Sequence, residues 1–333
     1  MHAIFIDQHG GPEVMRWTAL PDPVPEEGEV LVRLAVAGVN FMDVGARTAG
    51  GPGWAAPTVL GAEGMGYVTA LGDDVQGFAV GDRVAWFYHI GSYAELLAIP
   101  ASSLVKVPDD VSDETAAAVM VQGLTANHLT TETYAVRPGD TAVVHAAAGG
   151  VGLLLTQMIK ARGGRVIGLV SREEKAALAR EAGADHVLVS SGGGFEEKVR
   201  ELTGGEGAHV VYDGGGAATF RSSQLALRPH GVHAYYGPFM GVPSLTPTDL
   251  PNSILLTYPV VHHHVPTRDA LVQRSGEVFD MIRKGQVTPR IGGRYALSDA
   301  AQAHTDLESR RTTGKLLLVP CPGRRFENWV SIA

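Results

Sequence analysis

The chain of 333 residues carries 27 Lys and Arg against 35 Asp and Glu, a formal net charge of −8. That balance excludes a general phosphate-backbone binder, which works through clustered cations, so no nucleic-acid partner is expected. Its length predicts two domains, 45% hydrophobic residues exclude a disordered chain, and the single cysteine, Cys321, excludes an intrachain disulfide or a cysteine-based zinc site.

The opening Met-His-Ala-Ile-Phe-Ile has neither a basic start nor a sustained apolar stretch. No secretory signal is read there, and a cytoplasmic protein is expected. The longest uncharged run, 141–159, approaches the about 20 residues that cross a bilayer. It contains His145 and three glycines, so it divides into a strand, a turn and a helix, and no membrane association is expected. The first hundred residues read as short strands broken by turns, with strands over 30–36, 83–87 and 93–99. Six prolines between 12 and 57 argue against a helical bundle there. Ser112-Asp-Glu-Thr115 can cap a helix through the 116–133 region.

Beyond Pro138-Gly139-Asp140 strands and helices alternate. Strands are predicted over 141–147, 165–171, 186–190, 209–213, 231–237 and 253–259, with helices over 152–162, 173–181, 195–203 and 217–227. Continuous apolar strands separated by helices predict a doubly wound parallel sheet, an α/β fold. A long amphipathic helix follows over 269–284, then a helix over 296–309 and a last strand over 315–319.

The strongest site signal is Val143-Val-His-Ala-Ala-Ala-Gly149-Gly150-Val151-Gly152, directly after a strand and opening a helix. Glycines let the backbone approach a pyrophosphate, and the helix N-terminus supplies N–H donors and partial positive charge. Against the template G-x-G-x-x-G, the first glycine is Ala147. An NAD site places an acid about 20 residues on, at the tip of the second strand. Here that tip reads Val170-Ser171-Arg172-Glu173-Glu174-Lys175. A hydroxyl and two cations suit the 2′-phosphate of NADPH.

The chain resembles the zinc-free quinone oxidoreductases, the ζ-crystallin-like group of the medium-chain dehydrogenase/reductase superfamily. The resemblance rests on Gly38-Val-Asn40-Phe41-Met-Asp43, Gly61-Ala62-Glu63-Gly64, Gly81-Asp-Arg-Val84 and Gln122-Gly-Leu-Thr125, then on the glycine loop, Val210-Val-Tyr-Asp213 and Gly314-Lys315-Leu. It covers residues 1 to about 320. It implies a GroES-like, β-rich catalytic domain over 1–124 and 266–333, a Rossmann NADPH-binding domain over 125–265, and a homodimer formed by the Rossmann sheets. Zinc enzymes of the superfamily carry a histidine where this chain has Ala62, so no metal is implied. Without a Lewis acid, alcohol oxidation is disfavoured. Hydride transfer to a quinone or an α,β-unsaturated carbonyl remains feasible.

The resemblance also implies roles. Asn40 binds near the nicotinamide ribose or the substrate carbonyl, and Thr125 lines the nicotinamide pocket. Ala148, Gly149, Gly150 and Val151 hold the pyrophosphate, Tyr236 and Gly237 flank the nicotinamide, and Lys315 lies near the cofactor edge. Phe41, Asp43 and Gly45 fall at the substrate mouth. Gly45 stands where the family pattern has tyrosine, which makes room for a bulkier acceptor, with Trp54 or Tyr258 as replacement walls. Tyr88 or His89 can act as general acid. Glu63 is expected to bond neighbouring backbone or Arg47, and His262-His263-His264 is read as a loop rather than a metal cluster. The expected activity is NADPH-dependent reduction of a quinone or enone. The alternatives are a dedicated C=C reductase of a biosynthetic pathway and a non-catalytic NADPH-binding redox sensor.

Overall fold

The computed structural model describes residues 1–51, 53–237 and 243–320, and its chain divides into two units. Of the described residues, the first comprises Met1–Ala118, Ile291–Thr312 and 316–320; the second comprises those within Val119–Arg290 and Thr313–Lys315. In the first unit the chain forms β1 (His2–Ile6), β2 (Arg16–Ala19), β3 (Glu29–Val39), α1 (Phe41–Ala49), β4 (Thr58–Val59) and β5 (Glu63–Leu71). It continues with β6 (Arg83–Phe87), β7 (Leu96–Pro100), β8 (Leu104–Lys106) and the start of α2 (Asp113–His128). The Thr115 N–H donates to Ser112 Oγ at 3.2 Å, the expected cap.

The second unit takes the rest of α2 and a π-helical turn over Leu129–Thr133. Then follow β9 (Thr141–Val144), α3 (Gly150–Ala161), β10 (Arg165–Val170), α4 (Ala176–Glu181), β11 (His186–Val189) and α5 (Glu196–Leu202). β12 (Ala208–Asp213), α6 (Ala217–Leu225), β13 (Leu227–Tyr235), β14 (Leu255–Thr257) and α7 (Arg268–Arg283) complete it. The chain then returns to the first unit through β15 (Ile291–Ala296), α8 (Ala300–Glu308) and β16 (Lys315–Val319).

The first unit holds a seven-stranded sheet in the order β15-β16-β3-β5-β6-β8, with β7 also on β3, and a smaller sheet β2-β1-β4. Trp86, Tyr93, Ile4, Ile6, Leu60 and Leu104 are fully buried in its core. Burying each such apolar side chain contributes about 1.5–3 kcal/mol. In the second unit six strands lie in the order β11-β10-β9-β12-β13-β14, all parallel, with Val143 between Ile167 and Val211. The order reverses between β9 and β12. In such sheets ligands bind outside the carboxyl ends of the strands at that switch point.

Two elements differ from the sequence reading. Residues 41–49 form a helix, because Asn40 and Asp43 cap its first turn reciprocally: the Asn40 N–H donates to Asp43 Oδ2 at 2.8 Å. α7 clusters with the second unit rather than the first. Its buried side, Leu271, Ser275, Val278 and Phe279, packs on α2 at Gly123, where an added Cβ would sit 3.0 Å from Val278 Cγ1. Among the described residues no helix is long and apolar enough to cross a membrane.

Candidate active site

The glycine loop occupies the switch point. Gly149 is the N-cap of α3 and Gly150 its first residue, so the first N–H groups of the helix face the carboxyl ends of β9 and β12. The path is tight. An added Cβ at Gly152 would lie 2.2 Å from the Ala146 carbonyl oxygen, and one at Gly149 would lie 3.1 Å from the same atom. Ala146 itself has φ +47, an uncommon conformation for alanine. Gly314, just before β16, donates its N–H to the Ala148 carbonyl at 3.1 Å. The returning chain thereby braces the loop, while the Lys315 side chain is buried.

At the tip of β10, Ser171 and Arg172 are exposed and Lys175 half-buried. Glu173 pairs with Arg180 at 3.8 Å, and among the described residues Arg172 makes no ion pair. Burial, reinforced by Arg172, lowers Lys175 below the ordinary lysine range. A hydroxyl and two cations in adjacent positions have the chemistry that suits a phosphate group.

Beneath the loop lies a buried polar knot. Asp213, at the end of β12, accepts from the Gly215 N–H (2.8 Å), Thr219 Oγ1 (3.0 Å) and Ser223 Oγ (2.7 Å). His145 Nδ1 lies 3.2 Å from its Oδ1 and His233 Nε2 3.2 Å from its Oδ2. Burial alone would raise the carboxyl pKa, but His145, His233 and Ser223 outweigh it and hold Asp213 below the usual range. Burial lowers His145. The knot fixes the Gly214–Gly216 turn, over which the Tyr236 ring lies: a Cβ on Gly214 would be 3.0 Å from Tyr236 Cζ. A Cβ on Gly237 would be 2.6 Å from Gly214 backbone, so the ends of β12 and β13 touch only because both positions are glycine.

In the first unit Asn40 directly follows β3 as the N-cap of α1 and is 6% exposed. Its Nδ2 donates to Glu63 Oε1 at 2.7 Å. Glu63, fully buried at the start of β5, therefore orients Asn40 rather than meeting Arg47. Arg47 is bidentate on Glu308 at 3.0 Å. Asp43 is also fully buried, so its carboxylate serves the Asn40 backbone and Tyr93, whose Oη–H donates to Oδ2 at 2.9 Å. Since that proton is committed, His304 Nε2–H donates to Tyr93 Oη (3.2 Å), and His304 Nδ1 accepts from Arg47 Nη1 (3.2 Å). One directed hydrogen-bond chain thus runs Arg47, His304, Tyr93, Asp43, and the Asn40 N–H converges on the same carboxylate from the other side. It requires a neutral His304, and burial, aided by the Arg47 charge, lowers that histidine to about 3.

The remaining candidates are spread out. Phe41 is 39% exposed at the start of α1, and Gly45 lies mid-helix, half-buried. Tyr88 is 37% exposed with φ +56, a conformation that costs of order 1 kcal/mol and that recurs at functional sites. Burial lowers His89. Trp54 is 4% exposed and packed into the first unit's core, so it presents no open wall. Thr125 Oγ1 donates back to the Val121 carbonyl at 2.7 Å. Tyr258 lines an open depression of about 300 Å³ in the second unit with Glu132, Val232, Leu255 and His264. None of the glycine-loop residues borders it. Val261–His263 form a short 3-10 turn, and His264 stacks on His128 with centroids 4.2 Å apart. Among the described residues no group of three or more His, Cys, Asp and Glu is placed to hold a metal ion. Cys321 lies outside the described residues.

Sequence reasoning missed His304 and Tyr93, which are 257 and 50 residues from their partners Arg47 and Asp43. The Asn40-x-x-Asp43 spacing was the available signal for the helix cap.

Comparison with known proteins agrees with this architecture. The sequence pattern of the alcohol dehydrogenase GroES-like domain matches residues 26–109, and that of the zinc-binding dehydrogenases matches 150–269. The chain is 40% identical to a quinone oxidoreductase of Pseudomonas aeruginosa over 94% of its own length and 97% of the relative's. It is 37% identical to a 2-haloacrylate reductase of a Burkholderia species, over 96% and 98% of the two chains. A mycobacterial protein solved as a complex with NADPH superposes with a TM-score of 0.92 at 44% identity, over 96% of this chain and 100% of that one. The chain belongs to the quinone oxidoreductase family of the medium-chain dehydrogenase/reductase superfamily.

Proposed function

We propose that the protein is an NADPH-dependent reductase of quinones or α,β-unsaturated carbonyls. The observation that carries this reading is the glycine loop at the switch point, joined to a β10 tip with Ser171, Arg172 and Lys175 and no acid. The absent Cβ atoms at Gly149 and Gly152 and the open N-terminus of α3 fit a pyrophosphate. The NADPH-bound mycobacterial relative supports the same cofactor. When bound, NADPH supplies the hydride from C4 of its nicotinamide.

The protein's part is binding, orientation and proton handling. Ala148, Gly149, Gly150 and Val151 receive the pyrophosphate, and Ser171, Arg172 and Lys175 the 2′-phosphate. Tyr236 and Gly237 border the nicotinamide end, with Thr125 accepting a hydrogen bond through its hydroxyl oxygen. Lys315 acts through the loop, since its neighbour Gly314 bonds Ala148. Asn40, held by Glu63, donates to the acceptor carbonyl and stabilises charge that grows on its oxygen. Phe41 and Gly45 face the acceptor from α1, and Tyr88 Oη delivers the proton. The acceptor itself delocalises the incoming charge, and the residues of a superfamily zinc site are absent: Ala62 precedes Glu63, and no cysteine precedes position 321. The likeness to a 2-haloacrylate reductase favours an activated C=C as one acceptor class. β14 ends the sheet, with Leu255 63% exposed, which supports a homodimer joined along that edge. Light scattering on the eluted protein tests it, and a monomer mass refutes it.

The test is NADPH oxidation with a benzoquinone, a naphthoquinone and a conjugated enone in parallel, and NADH as control. Turnover of any of the three with NADPH supports the reading, and its distribution assigns the acceptor. NADPH binding without turnover on any of them refutes it.

A further inference from the structure

We propose that the Gln122 side chain is a dinucleotide-binding group, whose carboxamide N–H donates to the pyrophosphate held by the glycine loop. The inference rests on the reading of that loop as the NADPH cradle, and adds a contact from outside it. An added Cβ on Gly150 would lie 2.0 Å from Gln122 Oε1, 2.4 Å from Cδ and 2.5 Å from Nε2. The carboxamide therefore rests on the bare Cα of the first residue of α3, at the end of the helix where N–H donors converge. Both residues belong to the second unit.

Gln122 is partly exposed, and among the described residues its carboxamide makes no hydrogen bond. Thr125, three residues on and on the same face of α2, has its hydroxyl proton committed to Val121. Gln122 is thus the side chain of that face with N–H donors to offer. The loop needs such a donor, because residues 146–152 contain no charged side chain while a pyrophosphate brings two negative charges. A neutral amide adds a donor to a charged acceptor without burying a cation of its own. Glycine at 150 follows from the same contact: any side chain there would displace the carboxamide.

The experiment measures NADPH affinity by fluorescence titration for the full chain and for Gln122→Met, Gln122→Ala and Gln122→Glu. Adenosine 2′-monophosphate, which has no pyrophosphate, serves as a second ligand. Gln122→Met and Gln122→Ala are expected to weaken NADPH about tenfold, one charge-assisted hydrogen bond. Gln122→Glu is expected to weaken it at least about tenfold more, since a carboxylate then faces the phosphates. Affinity for adenosine 2′-monophosphate stays within about twofold of wild type. NADPH affinity unchanged in all three variants overturns the contact. A parallel loss for both ligands also overturns it and assigns Gln122 to the fold alone. Wild-type protein that binds neither ligand overturns the cradle reading itself, and the inference with it.

Discussion

Tyr93→Phe removes one oxygen from the centre of the first unit and nothing else. Tyr93 and Asp43 are both fully buried, and phenylalanine fills the same ring volume, so no cavity term arises. The loss is electrostatic. Asp43 Oδ2 gives up a 2.9 Å hydrogen bond from Tyr93 Oη, and His304 Nε2–H gives up its 3.2 Å acceptor. A hydrogen bond to a charged group contributes about 1.5–3 kcal/mol, and a buried donor left unpaired costs about 1 kcal/mol more. Asp43 keeps the Asn40 N–H at 2.8 Å, so the helix cap survives. The expected destabilisation is about 2.5–4 kcal/mol, read as a lower guanidinium midpoint at unchanged slope. Tyr93→Phe combined with His304→Leu should lose less than the sum of the single changes, because the two residues share one chain. A loss under about 0.5 kcal/mol, or strict additivity, would refute the directed chain from Arg47 to Asp43.

His304 and His128 are both lowered to about 3 by burial, the first aided by Arg47 and the second by His264. Each stays neutral in the fold yet protonates near 6.5 when unfolded, so stability is full above about 6.5 and declines toward pH 3. The slope is about 1.4 kcal/mol per pH unit per histidine, and His304→Gln should remove one histidine's share; midpoints that do not move between pH 7.5 and 5.5 contradict this. Arg172→Ala should raise KM for NADPH about tenfold and leave NADH unchanged, whereas equal effects on both would remove Arg172 from the 2′-phosphate site. Gly152→Ala would drive a Cβ to 2.2 Å from the Ala146 carbonyl, a backbone atom that cannot swing away. Dinucleotide binding should be lost, and wild-type affinity in that variant would show that the loop is not the cradle.

Much of the second unit was legible because its signals are local. Apolar strands with glycine turns gave the order of elements, and His145 to Gly152 marked the switch point where Gly149 caps α3. The polar tip of β10 was equally readable, being a run of adjacent residues. The first unit hid more, since its chemistry is assembled across the whole chain. Arg47 meets Glu308, 261 residues away. Nothing near Arg47 in sequence favours that partner over Glu63. Helix α1 escaped notice because its glycine, threonine and alanines make a weak helix whose Asn40–Asp43 cap does the stabilising. Trp54 looked like a wall and is core, since aromatic identity does not report which way a ring faces.

The account stands on hydride transfer from NADPH to an acceptor carbon, and isotope transfer tests that step directly. The protein is given a conjugated enone with NADPH deuterated at C4, each of the two C4 positions in turn, and the product is weighed. One of the two labelled cofactors should yield product heavier by a single deuterium at the β-carbon, and the other unlabelled product. NADPH consumed with no deuterium in the product from either cofactor would contradict the central claim.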